Sequence, residues 1–131
     1  MSRLLLALAL TALPLGAHAA PTTADPWPAS PVLVRLFILP SGRADGAALT
    51  RALALTPFQV AGLRRLAQRE AAYGEAGRHV IGRQEAASLN ARIAAMRVEK
   101  DRKVRVLLGA KYPAFRHWVG VWWARQVKAA Q

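Results

Sequence analysis

Apolar positions along this chain recur at spacings of three and four, in segments punctuated by proline and glycine, and nowhere for long at spacing two. That period belongs to helices with one buried face. Ser30-Pro31 reads as an N-cap followed by proline at the first helical position. Val32, Leu33, Leu36 and Phe37 then share a face, with Arg35 opposite, until Pro40 stops the segment. A strand through "VLVRLFIL" is the rival, because so short an apolar run does not define its own period; the helix is preferred. "SGRADG" (residues 41–46) predicts a turn, and Asp45 a cap for a second short helix in which Leu49 and Leu53 stack at i, i+4.

The stretch "LALTPFQVAGLRRL" sets a proline inside what looks like one amphipathic helix. Thr56 resolves the conflict as an N-cap whose hydroxyl accepts from the first turn, with Pro57 where a missing N–H costs nothing. A new helix therefore starts there, with a bend after Leu55. Its predicted buried side carries Val60, Leu63, Ala67 and Gly74; Arg64, Arg65, Gln68 and Arg69 make the solvated side. Gly74 and Gly77 weaken its far end. A longer helix follows from Arg83 to Leu108, with Ala86, Leu89, Ile93, Met96, Lys100, Val104 and Leu107 in one stripe. Lys100 alone breaks that stripe, and its stem is expected to snorkel. Glu99–Lys103, Arg97–Asp101 and Asp101–Arg105 are predicted i, i+4 pairs. Gly109 ends the helix, and Pro113 opens a last one with Phe115, Trp118, Val119 and Trp122 on its apolar face.

The pattern predicts an all-α fold: a single small domain of four to five helices over residues 31–131, built as a long helical hairpin plus a C-terminal Trp-rich helix. Its expected core includes Leu36, Phe58 or Val60, Leu63, Leu89, Ile93, Met96, Leu107, Trp118 and Trp122.

The N-terminus changes that picture. Residues 1–19, "MSRLLLALALTALPLGAHA", offer a basic start, a short apolar run and the small-x-small end Ala17-His18-Ala19, the pattern of a cleaved signal peptide. The run is too short to span a bilayer core of roughly 30 Å, which argues against the alternative of a retained anchor. Cleavage near Ala19 would leave 112 of the 131 residues, in a periplasmic or secreted compartment. Residues 20–30 are proline-rich and predict a poorly ordered leader, in which Trp27 stands alone and is free to tuck against the domain. The chain has no cysteine, hence no thiol nucleophile and no thiolate ligand.

Charge points to anionic partners. Nineteen Lys and Arg face seven Asp and Glu, and loss of Arg3 with the first 19 residues lowers the net charge from +12 to +11. Such a surface attracts lipid headgroups, acidic wall polymers, nucleic acid or acidic stretches of polypeptide. Ordinary solubility accounts for the same composition.

Leu55-Thr56-Pro57-Phe58-Gln59 resembles the LTxxQ signature of the Spy/CpxP family of exported helical envelope proteins, as a divergent member. A second, degenerate copy stands at Leu108-Gly109-Ala110-Lys111-Tyr112, with glycine for threonine and tyrosine for glutamine. The resemblance spans about half the chain, Leu53 to Trp118. Leu55, Thr56 and Gln59 carry it. It implies a hairpin-like α-helical architecture, often a homodimer, and a chaperone or envelope-stress role in which unfolded polypeptide is held on a basic, partly apolar surface. Two departures stand out. Metal-responsive relatives carry histidine clusters, whereas only His79 and His117 lie beyond residue 19 here, and the Trp-rich end "FRHWVGVWWARQ" is foreign to the signature.

No catalytic, cofactor or metal site is legible. Ser30, Ser41 and Ser88 sit in no nucleophile-elbow pattern, "SGRADG" lacks the lysine of a phosphate loop, and two distant histidines do not make a metal site. The candidate contact residues are instead Arg64, Arg65 and Arg69 on one helix and Arg92, Arg97 and Arg105 on the next. Trp123 points about 100° away from Trp122 on a helix and, with Arg116 and Arg125, predicts an aromatic–basic rim. For each of these a solvated helix face, or a half-buried tryptophan at a helix edge, is the plainer reading. The expectation is a non-enzymatic exported protein that binds polypeptide. An adhesive module for anionic lipid, wall polymer or, less readily, nucleic acid is the alternative.

Overall fold

A computed structural model describes residues 24–131. The predicted signal segment lies outside the described residues. Within them the chain forms α1 (Val32–Phe37), α2 (Arg43–Ala52), α3 (Pro57–Gly77), α4 (Arg83–Leu108) and α5 (Tyr112–Ala130), with 3-10 turns at Pro40–Gly42 and Gly109–Lys111. The fold is all-α. No described helix is long and apolar enough to cross a membrane.

The α1 segment is helical, and Val32, Leu33 and Leu36 are buried on its inner face. Its start differs from the sequence reading. Pro31 is the N-cap, no side chain of α1's own flank caps it, and Ser30 belongs to the preceding turn, its N–H donating to Pro26 O at 2.8 Å. The free Val34 N–H is satisfied from elsewhere, by Glu70 Oε1 at 3.2 Å. A carboxylate from α3 thus does the work that a local serine would have done.

Chain packing then turns on small residues. A Cβ at Gly42 would stand 1.6 Å from Arg35 O, and one at Gly46 2.3 Å from Leu36 O. The "SGRADG" glycines therefore let α2 lie against the α1 backbone. Asp45 is not the cap, since α2 already begins at Arg43 behind Gly42; its carboxylate accepts from Trp122 Nε1 at 3.0 Å.

Helices α3 and α4 form the long hairpin, about 31 and 39 Å in length at 1.5 Å per residue. They approach closely where a Cβ on Gly62 would meet the Leu107 side chain at 2.6 Å. The core gathers at the hairpin's base, from Trp27, Leu33, Leu36, Leu49, Leu63, Val104, Phe115, Val119 and Trp122 among others. There α1, α2 and α5 cover the pair. Farther out two helices face each other alone, and two helices cannot bury a full stripe. Leu89 is buried, but Ile93 and Met96 are only half-buried, and Gly74 is exposed.

Of the alternatives Phe58 and Val60, Val60 packs on the core, while Phe58 is 71% exposed. Two further expectations are corrected. The leader is not loose over residues 24–30: Trp27 is 2% exposed and meets the Phe115 ring edge-on at 5.1 Å. Lys100 does not snorkel. It is 3% exposed, with Nζ 2.5 Å from Glu70 Oε2, 3.3 Å from Trp27 O and 4.2 Å from the Trp27 ring centroid.

Candidate binding surface

The start of α3 meets the turn that follows α4. Gln59 N donates to Thr56 Oγ1 at 3.1 Å while Gln59 Oε1 accepts from Thr56 N at 3.0 Å, a complete capping box at the start of α3. The same glutamine reaches the end of α4 and the turn after it: its Nε2 donates to Leu107 O at 3.4 Å, and Lys111 Nζ donates to its Oε1 at 3.0 Å and to Ala54 O at 2.7 Å. Leu107 O is among the carbonyls left free by the end of α4. Leu55 is buried below this junction and Thr56 is exposed above it. Thr56 and Gln59 thus fasten the base of the hairpin, and Lys111 takes the role of a cross-brace.

Beside this junction lies a second polar assembly. Asp101 Oδ1 accepts from Trp27 Nε1 at 2.9 Å and from the Tyr112 hydroxyl, while Oδ2 accepts from Arg105 Nε at 2.8 Å. Burial acts to raise the Asp101 carboxyl, yet the hydrogen bonds from Arg105, Tyr112 and Trp27 outweigh it and hold the group at about 2. Arg116 donates to the Tyr112 hydroxyl at 2.7 Å and pairs with Asp25. Arg105 lies over the Tyr112 ring at 4.4 Å. The predicted Asp101–Arg105 and Glu99–Lys103 pairs form, at 2.8 and 3.7 Å. Arg97 makes no pair with Asp101, whose oxygens face Trp27, Tyr112 and Arg105.

These engagements sort the candidate arginines. Arg105 and Arg116 serve the fold, tying α4, α5 and the N-terminal segment together. The expected rim at Trp123 does not assemble: Arg116 is held by Tyr112 and Asp25, Arg125 is exposed, and the cation over the half-buried Trp123 is Arg35, at 5.2 Å. Arg92 and Arg97 are exposed on α4. Arg64, Arg65 and Arg69 are exposed on α3, and these three do share a feature: each lines a groove.

One groove, of about 440 Å³, runs between α1, α2 and α3, lined by Leu36 to Leu39 and by Arg43, Thr50, Arg64 and Gln68. The next, of about 510 Å³, is bounded by Leu55, Pro57 and Val60 with Arg64 and Arg65. Thr50, Arg64 and Gln68 belong to both, so the two are continuous. A smaller one, of about 270 Å³, opens on the other flank of α3 beside Arg65, Arg69, Lys103 and Leu107. No carboxylate lines any of the three. Among the described residues, no three His, Cys, Asp or Glu side chains come together as a metal site. What the arrangement offers is apolar area edged by guanidinium groups.

Sequence reasoning missed Arg43, whose neighbourhood to Arg64 depends on how closely α2 approaches. It also missed Glu70, although a signal was there: Leu63, Ala67 and Glu70 follow helical spacing on the buried side of α3, as Lys100 does on α4. The chain matches no protein-family model, no curated protein and no solved structure.

Proposed function

We propose that this is an exported, non-enzymatic helical protein of the cell envelope that binds unfolded or partner polypeptide on a basic, partly apolar surface, similar to the Spy/CpxP chaperones. The observation that carries the reading is the continuous groove along α3, apolar in its walls, edged by Arg43, Arg64 and Arg65 and free of carboxylates. Unfolded polypeptide offers what such a surface takes: apolar side chains to cover Phe37 and Val60, and acidic groups for the arginines. The capping box at Thr56 and Gln59 supports the likeness to the LTxxQ signature, since its threonine and glutamine are the two residues that close it and Lys111 of the second copy bonds the same glutamine. The pattern of residues 1–19 supports export to the periplasm or outside the cell.

The deciding experiment is aggregation of a chemically denatured client, diluted into buffer with and without the purified protein. Suppression at stoichiometric excess is the expected result, and none would overturn the reading. N-terminal sequencing of the protein from a bacterial host should begin near Ala20; a chain that begins at Met1 would overturn export with cleavage.

The net charge of +12 favours a second reading, adhesion to anionic lipid or wall polymer. Binding of that kind rests on ion pairing and falls steeply with salt, whereas apolar burial is not screened. A client whose binding survives a salt series supports the first reading. Tight binding of anionic vesicles at physiological salt with no client affinity supports the second.

A further inference from the structure

We infer that the continuous groove between α2 and α3 is a docking track for an extended polypeptide segment carrying carboxylates among apolar side chains. This rests on the polypeptide-binding reading above and narrows it to one site and one class of sequence. The first argument is charge. Arg43 stands at the start of α2, Arg64 and Arg65 on α3, and among the described residues none of the three makes an ion pair. The nearest acid in sequence, Asp45, is turned away to the Trp122 indole. An occupant must therefore bring the negative charge itself.

The second argument is the apolar wall. Ile38 and Leu39 remain 39% and 43% exposed at the mouth, next to half-buried Phe37, and Leu55, Pro57 and Val60 continue the wall past Arg64. A phosphate-rich polymer has nothing to cover such residues, and a flat bilayer surface does not enter a trough between helices. A polypeptide in extended form fits both demands, because alternate side chains face opposite ways. Gln68, exposed at the point where the grooves join, carries both donors and an acceptor for a passing backbone. The chain's own residues 1–23 do not qualify, since they contain no Asp or Glu.

The test is fluorescence anisotropy of the purified protein with short labelled peptides of one apolar framework bearing Glu, Gln or Lys at alternate positions. The Glu peptide should bind at physiological salt, the Gln peptide roughly tenfold more weakly and the Lys peptide not at all. R64E and R43E should each weaken the Glu peptide by about tenfold or more, while R92E, the same charge change outside the groove, should alter it less than about twofold. All three positions are exposed, and circular dichroism of each variant checks that helix content is kept. Equal loss in R92E and R64E, or equal binding of the Glu and Gln peptides, overturns the track. If the protein suppresses client aggregation but R64E and R43E leave peptide binding intact, the track falls and the polypeptide-binding reading stands. If neither client nor peptide binds, and vesicles of phosphatidylcholine with phosphatidylglycerol bind instead, both fall.

Discussion

The indole nitrogen of Trp27 donates to Asp101 Oδ1 at 2.9 Å, across 74 positions of sequence. The contact fixes a proline-rich segment onto the base of the hairpin, with the ring between Phe115 and the Lys100 ammonium. Trp27→Ala should cost about 3–5 kcal/mol, the range for removing a buried large aromatic. Trp27→Phe keeps much of the apolar area but loses the donor to Asp101, and should fall between the two. Urea unfolding followed by circular dichroism measures both. A Trp27→Ala loss below about 1 kcal/mol would mean that the segment is peripheral to the fold.

Lys100 and Glu70 form a buried pair that faces inward from adjacent helices. Removing one partner leaves the other charged and unpaired in the interior. Lys100→Met alone should therefore destabilise by about 3–5 kcal/mol. Lys100→Met with Glu70→Gln should recover most of that loss, because the amide oxygen still accepts from Val34 N while no charge remains buried. A single variant as stable as the parent would show that water reaches the pair.

At the motif junction, Thr56→Ala removes one capping bond and should cost about 1 kcal/mol. Gln59→Ala should cost more, since it also removes the bond to the Leu107 carbonyl and one of the two bonds that hold the Lys111 ammonium. The two changes break one reciprocal box. Together they should fall short of additive by at least about 0.5 kcal/mol in a double-mutant cycle. Strict additivity would separate the cap from the brace.

What was legible in the sequence follows the range of the interactions. The capping box lies within residues 56–59, so Thr56, Pro57 and Gln59 announce it locally. The helices and most of their buried faces follow from spacing. How completely a stripe is buried does not, because that depends on whether a third helix covers it: Val104 has one and Ile93 has none. The sequence singles out Trp27 as free to tuck against the domain but does not say onto what, because its partners, Asp101, Lys100 and Phe115, are all distant in sequence. The groove was invisible for a similar reason. It exists because Gly42 and Gly46 let α2 approach α1, and nothing local distinguishes a packing glycine from a turn glycine.

Asp101 makes the acid limb of stability predictable. Its carboxyl is held at about 2, below the ordinary 3.8, because Arg105, Tyr112 and Trp27 favour the ionised form more than burial opposes it. A folded-state value below the unfolded one stabilises the protein above the unfolded pKa, and that contribution is lost as pH falls through the folded value. The stability from Asp101 should be complete above about pH 5 and disappear between about pH 4 and pH 2. Asp101→Asn never has it. The gap between parent and Asp101→Asn, read from urea midpoints, should be widest near neutrality and close as pH approaches about 2. A gap that stays constant with pH would assign the loss to geometry rather than charge. The alkaline side supplies an independent check. The Tyr112 hydroxyl is held above its ordinary 10, by burial first and by its bond to Asp101 second. Asp101→Asn removes what the carboxylate contributes, by its hydrogen bond and by its charge, and leaves the burial in place. Tyrosinate absorbance should then appear at lower pH in the variant than in the parent, with the burial part of the shift retained.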